Sequence, residues 1–208
     1  LQGVEKLTYK VQRALTGRTA LAREFSKADI SSDFKANGTL NPRDPDYEAL
    51  RDGGFADYRL VIDGLVEEPL SLSLADLRAQ PARTQITRHD CVEGWSSIGE
   101  WSGARLAPLL ERARLKPNAR FIVFHCADTL DGAARDNLNG RYYESIDLDD
   151  AFHEQTILAY DMNGAPLPVK HGAPIRLRVE RQLGYKHAKY VMRIEAVESF
   201  DQIGLGKG

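Results

Sequence analysis

What most limits the fold of this chain is a series of short apolar runs at strand period, each closed by a turn or polar signal. "DYRLVIDGLV" sets Tyr58, Leu60 and Ile62 at period two ahead of an Asp-Gly pair, the alternation of a half-buried strand. "ARFIVFHCADT" holds four consecutive apolar residues and then His125 and Cys126, which reads as a buried strand with those two at its end. "TILAY" runs into an Asn163-Gly164 turn, a hairpin signal. A proline-rich loop follows, then strands over Ile175–Val179 and "KYVMRIEAV". "RTQITRHDCVEGW" begins as a strand and delivers Cys91 at or just past its end.

Helical signals are shorter. Ser73 in "SLSLADLRAQP" suits the N-cap of a brief helix stopped by Pro81. "SGARLAPLLERARL" reads as an amphipathic helix with Leu106, Leu109, Leu110 and Ala113 on one face. "YYESIDLDDAFHE" leads through an Asp147 or Asp149 cap into another. Near the N-terminus Val4, Leu7, Val11 and Leu15 fall at helical spacing until Gly17. The stretch "SSDFKANGTLNPRDPDYEALRDGGF" is dense in Gly, Pro, Asn and Asp and reads as a long irregular segment, a kind that tends to carry function. The expected fold class is α+β, a single mixed domain with more strand than helix.

A net charge of −2 gives no global basic excess, so nucleic acid is not an expected partner. No apolar run nears the roughly 18 to 20 residues that cross a bilayer. With only two cysteines there is neither a disulfide framework nor a zinc-site spacing.

One of those cysteines lies in "RHDCVEGWSSIGEWSG", beside a histidine, three acids and both tryptophans. From the residues alone Cys91 is open to four readings: core thiol, half of a disulfide with Cys126, nucleophile, or ligand to a metal carried by a separate cofactor. A nucleophile needs a base brought to it in space, and His89 is too near in sequence to serve in the usual way. A cofactor-borne metal needs one soft thiolate. Farther on, "VKHGAP" supplies His171, Arg176 follows, and "GYKHAKY" supplies Lys186, His187 and Lys189 among Gly172 and Gly184. That composition suits an anion cradle, since glycines admit the backbone close to a ligand and Arg and Lys neutralise phosphate; a solvated charged loop is the plainer alternative.

The block "YYESIDLDDAFHEQTILAYDMNGAPLPVKHGAPIRLRVERQLGYKHAKYVMRIEAV", together with "CVEGW", resembles the molybdopterin-binding domain of the sulfite oxidase superfamily. The order LAY-x-MNG-x-PLP, HG-x-P-x-R, G-x-x-x-x-K carries the likeness, which runs from about Phe34 to Val197. "RHDCVEGW" is closer to the bacterial periplasmic branch, which includes methionine sulfoxide reductase catalytic subunits, than to the sulfite oxidases proper with their C-A-G-N-R.

The resemblance implies a molybdopterin-binding domain over residues 34–208 behind an N-terminal helical segment, 1–33. It implies a molybdenum–molybdopterin cofactor without an added nucleotide, and oxygen-atom transfer on a small sulfur compound, either a sulfoxide or a sulfite-type anion. Cys91 matches the thiolate that ligates molybdenum. His171, Arg176 and the stretch His187, Ala188 and Lys189 match positions that hold the pterin and its phosphate, and Lys186 belongs to the same cationic run. Tyr142 matches a tyrosine facing the metal, with Tyr143 as the other alignment. Phe34 and Asn37 fall in a loop over the cofactor, and Cys126 near a pocket-lining position. For a sulfur oxyanion Arg88, Arg135 and Arg141 are the candidate cations, and for a sulfoxide Tyr142, Tyr143 and Trp95 offer an apolar mouth. The chain has no C-x-x-C-H haem motif, so electrons are expected to pass to or from a separate cytochrome or haem membrane subunit. Relatives of this branch are exported to the periplasm by the twin-arginine route; the residues given carry no such signal. The alternative is a module that binds the pterin or another phosphorylated ligand without turnover.

Overall fold

The computed structural model describes residues 19–129, 140–199, 201 and 203. The helix expected over Val4 to Leu15 lies outside them, as does Arg135. Ten strands dominate the described residues. The first, β1 (Arg59–Gly64), pairs antiparallel with β2 (Leu70–Ser73) and parallel with the last, β10 (Val191–Val197). Then β5 (Phe121–Thr129) pairs with β10, and β6 (Arg141–Asp147) with β5, to give the order β2-β1-β10-β5-β6. The second sheet starts with the hairpin of β3 (Ala82–Asp90) and β4 (Ser96–Arg105). Beside β4 lies β7 (Thr156–Met162), whose other edge takes β8 (Ala165–Pro166) and β9 (Arg176–Val179). The α+β, strand-rich expectation is met.

The main core joins both sheets. Leu60, Ile62, Ile122, Phe124 and Ile194 from the first sheet meet Leu158 and Leu177 from the second, with Leu106, Leu109 and Leu110 of the helix Leu106–Ala113 among them. Each of these leucines, fully buried, contributes roughly 1.5–3 kcal/mol. Among the described residues no helix is long and apolar enough to cross a membrane.

Several local signals act as expected. Ser73 and Asp76 form a capping box on α2 (Leu74–Arg78), with Asp76 N–H donating to Ser73 Oγ at 3.1 Å. Of the two candidate caps for α4 (Leu148–Ala151), Asp147 is the one used: Asp150 N–H donates to its Oδ1 at 2.9 Å. Asn163 and Gly164 take φ of 52° and 77°, the left-handed pair of a tight hairpin.

Three expectations are corrected. The "irregular" segment contains α1 (Pro45–Asp52), capped by Asp44 through Tyr47 N–H at 3.0 Å, with proline at its first position. The helix read over "SGARLAPLLERARL" starts only at Leu106 and becomes α3 (Leu106–Ala113), because "SSIGEWSGAR" is strand β4. The inward positions of β4 are Ser97, Gly99, Trp101 and Gly103; three of the four are small and hide the alternation. Gly103 is forced by packing: a Cβ there would lie 2.2 Å from the Leu158 carbonyl oxygen of β7. Finally, His125 and Cys126 are not at the end of β5, which runs on to Thr129.

The described part of the N-terminal segment lies along the second sheet. Phe25 N–H donates to Ile86 O, and Ser31 N–H to Ile98 O. The chain then passes over the turn end of the β3–β4 hairpin.

Candidate functional site

A cavity of about 320 Å³ opens where that hairpin tip, residues 34–39, the end of β5, and residues 184–189 converge. Cys91 sits in the hairpin turn, which Cys91 N–H closes onto Trp95 O at 2.9 Å and Gly94 N–H onto Cys91 O at 3.0 Å. Gly94 has φ +85°, a value that favours glycine. The turn aims the half-buried thiol at the cavity, where Asn37 Nδ2 donates to Sγ at 3.1 Å. Both cysteines are free.

Of the residues singled out from sequence, Phe34, Asn37, Cys91, Tyr142, His171, Arg176, His187, Ala188 and Lys189 line this cavity. Arg88, Cys126 and Lys186 do not line it. Strand parity explains the first: in β3 the inward row is Gln85, Thr87 and His89, so Arg88 faces solvent and pairs with Asp90 at 2.9 Å. Cys126 belongs to the inward row of β5, behind Ile122 and Phe124, and its buried Sγ lies 3.7 Å from Phe124 O. Desolvation pushes that thiol well above its ordinary pKa. The next residue on that face, Asp128, takes the lining position instead. Lys186 turns away to the Glu144 carboxylate at 2.9 Å. Arg141 pairs with Asp44, and Tyr143 is buried on the other face of β6 from Tyr142.

His89, set aside from sequence, is a cavity wall. Its Nδ1 lies 3.1 Å from Arg178 Nη1; the guanidinium can only donate, so the ring carries its hydrogen on Nε2. Desolvation, then the charges of Arg178 and Arg176, hold its pKa at about 2. His171 is held at about 4 by burial and Arg176, and His187 well below the imidazole range by burial and Arg178. All three are neutral donors or acceptors at pH 7. Their shared position on inward rows of strands and turns around Cys91 was the available signal.

The cationic side is unequally paired. Arg178 is fully buried and held by Glu180 at 2.7 Å and by the Trp101 ring at 4.4 Å. Arg176 is buried too, yet its Nη atoms donate only to the backbone carbonyls of His171, at 3.0 Å, and His187, at 3.2 Å; its Nε finds no acceptor. Desolvation and Arg178 lower its pKa to about 9. A buried guanidinium without a carboxylate calls for an anion. Lys189, expected on phosphate, instead donates to the carbonyls of Asn37, Thr39 and Lys170, strapping residues 37–39 over the cavity. Its pKa is lowered to about 8 by desolvation and Arg176.

Two further features bear on what fits here. Gly184 packs against His89, so that a Cβ would stand 2.6 Å from Nε2; only glycine leaves this corner open. Asp128 is the one carboxylate among the described lining residues. Its Oδ1 is buried without a partner, and desolvation raises its pKa to about 6. The cavity thus offers one soft thiol, an orphaned guanidinium, neutral imidazoles and a lone acceptor. That donor set fits a phosphorylated, N–H-rich organic ligand that carries a thiophilic metal.

Comparison with known proteins agrees. The family model for the oxidoreductase molybdopterin binding domain matches residues 48–202. A putative protein-methionine-sulfoxide reductase subunit YedZ1 of Azospira oryzae is 37% identical over 190 residues, covering 91% of this chain and 66% of that protein. The protein-methionine-sulfoxide reductase catalytic subunit MsrP of Ralstonia nicotianae is 35% identical over 82% of this chain and 49% of its own length. Among solved structures, the sulfane dehydrogenase SoxCD of Paracoccus pantotrophus superposes with a TM-score of 0.58 at 28% identity, over 70% of this chain and 40% of that one. The chain therefore spans between about half and two thirds of these curated relatives.

Proposed function

The chain belongs to the oxidoreductase molybdopterin-binding domain family, and from that premise we propose that it reduces a sulfoxide by oxygen-atom transfer, with Cys91 as the protein ligand to molybdenum. The carrying observation is the Cys91 thiol held at a hairpin tip, in a cavity also lined by a buried Arg176 whose Nε has no acceptor. When bound, the molybdenum cofactor supplies the redox chemistry and accepts or gives the oxygen atom. The chain's own residues do the rest. Arg176 takes the phosphate through its free N–H, and His89 and His187 face the cavity as neutral hydrogen-bonding groups. Residues 34–39, strapped by Lys189, cover the cavity and exclude water. The Asn37 amide steadies the sulfur.

The preference for a neutral sulfoxide over a sulfur oxyanion is supported at the mouth. Arg88 and Arg141 are engaged by Asp90 and Asp44, while Val92, Trp95, Tyr142 and Tyr185 line the cavity, along with Lys35 and Lys170. The curated relatives named above as methionine sulfoxide reductase subunits point the same way. We further propose a pterin without added nucleotide, electrons from a separate haem-bearing partner, and a periplasmic site of action reached by twin-arginine export.

The test is a dye-coupled assay of the molybdenum-loaded protein with methionine sulfoxide and, in the opposite direction, with sulfite. Turnover of the sulfoxide that vanishes in Cys91→Ser supports the reading. Turnover of sulfite alone would replace it with an oxidase, and ligand retention without turnover of either would leave a binding module.

A further inference from the structure

Tyr142 reaches the cavity from β6, and Glu144, two residues on, shares its face of the strand. The Tyr142 hydroxyl is in short contact with Glu144 Oε1, and the Tyr185 carbonyl oxygen stands 3.1 Å away. Glu144 is buried and is backed by Lys186, whose Nζ lies 2.9 Å from Oε2. A phenol has one proton to give. An ionised carboxylate is a stronger acceptor than a peptide carbonyl, so the proton goes to Glu144. What Tyr142 has left for the cavity is lone pairs. The cationic residue that sequence assigned to the ligand therefore acts one step behind it.

We propose that Glu144, held by Lys186, is a positioning residue that fixes Tyr142 as a hydrogen-bond acceptor toward the cavity. This rests on the reading that the cavity is where a sulfoxide meets the cofactor. Tyr142 is then mismatched to the S=O oxygen, itself an acceptor, and matched to an O–H donor, the water that the sulfoxide oxygen becomes on taking up two protons from solvent and two electrons from the haem-bearing partner. Glu144 and Lys186 touch neither substrate nor cofactor; they act through the phenol.

Glu144→Gln is nearly isosteric and replaces the carboxylate by an amide that can donate to the Tyr142 oxygen, freeing the phenolic proton to be shared between the Tyr185 carbonyl and the cavity. The first readout needs no turnover: the ultraviolet difference spectrum of the protein minus its Tyr142→Phe variant. It should show the red-shifted phenol band of a donor bonded to a carboxylate, and Glu144→Gln should move that band to the blue. The second is kinetic. KM for methionine sulfoxide and kcat should both fall, each by about threefold, as Tyr142 gains a bond to the substrate and loses one to the product. In the Tyr142→Phe background Glu144→Gln should change neither. An unshifted band, or the same kinetic loss in both backgrounds, would overturn the proposal. If Glu144→Gln does not fold, the double replacement Glu144→Met, Lys186→Met removes the ion pair together, a change that is often neutral for stability, and the same spectral shift is expected. Absence of sulfoxide turnover would sink the functional reading alone, since the spectral arm still decides on Glu144.

Discussion

Asn37 donates its side-chain amide to the Cys91 sulfur at 3.1 Å across 54 residues of chain, while Lys189 Nζ holds the Asn37 carbonyl at 2.7 Å. One residue thus links the covering segment, the thiol and the cationic wall. Asn37→Ala removes the bond to sulfur and leaves the strap, which uses backbone atoms. Folding should change by about 1 kcal/mol or less. Metal retention should drop roughly 10- to 100-fold, as when other residues that orient a metal ligand are lost. Dialysis against a chelator with time-resolved metal analysis measures it.

Arg176 should separate stability from binding. Without its ligand it is a buried cation held only by two carbonyls and the Trp101 face at 5.0 Å. Arg176→Met should stabilise the cofactor-free protein by about 1–3 kcal/mol and abolish cofactor retention. Arg176→Lys should keep the charge, lose the fork, and retain cofactor weakly. Denaturant titration and pterin fluorescence after release provide the two readouts.

Two glycines give opposite outcomes. Gly184→Ala puts a methyl group 2.6 Å from His89 Nε2 at the cavity edge; the protein should fold and lose its cofactor. Gly103→Ala drives a Cβ to 2.2 Å from the Leu158 carbonyl between two paired strands, and soluble protein should not be recovered. Expression, circular dichroism and metal content distinguish them.

Stability should fall with acid. Unfolded, His89, His171 and His187 each take a proton as pH drops through about 6.5. Folded, they stay neutral, His171 down to about 4 and His89 to about 2. The unfolded chain then binds more protons, so stability present above pH 6.5 is lost on going down toward pH 4. Asp128 has the opposite sign: its folded pKa of about 6 exceeds the ordinary 3.8, so it gains stability as pH falls through that window. Three groups outweigh one, and the melting temperature should be lower at about pH 4.5 than at about pH 7.5. Asp128→Asn should raise it at the higher pH, by the equivalent of roughly 2–3 kcal/mol, and leave it unchanged near pH 4.

The sequence disclosed most where period and chemistry coincide. Tyr58, Leu60 and Ile62 marked β1 because alternate residues are bulky, and the Asn163-Gly164 hairpin needed no context. Strand β4 stayed hidden because three of its four inward residues are Ser97, Gly99 and Gly103, the two glycines giving close approach to Phe34 and β7 rather than strand propensity. At the site, residue type identified Cys91 and Arg176. Direction did not follow from type: Arg88 needed the parity of β3, Cys126 its depth in β5, and Lys186 the position of a glutamate 42 residues upstream on another strand. Asp128 and His89 are polar residues ending buried rows, visible only once the strands are aligned.

Cys91 is the proposed ligand to molybdenum. Metal analysis and visible absorption of protein from a cofactor-competent host, beside Cys91→Ser, test it most directly. About one molybdenum per chain is expected, with a thiolate-to-metal charge-transfer band that the serine variant lacks. Molybdenum-free protein, or a band that survives the substitution, would contradict it.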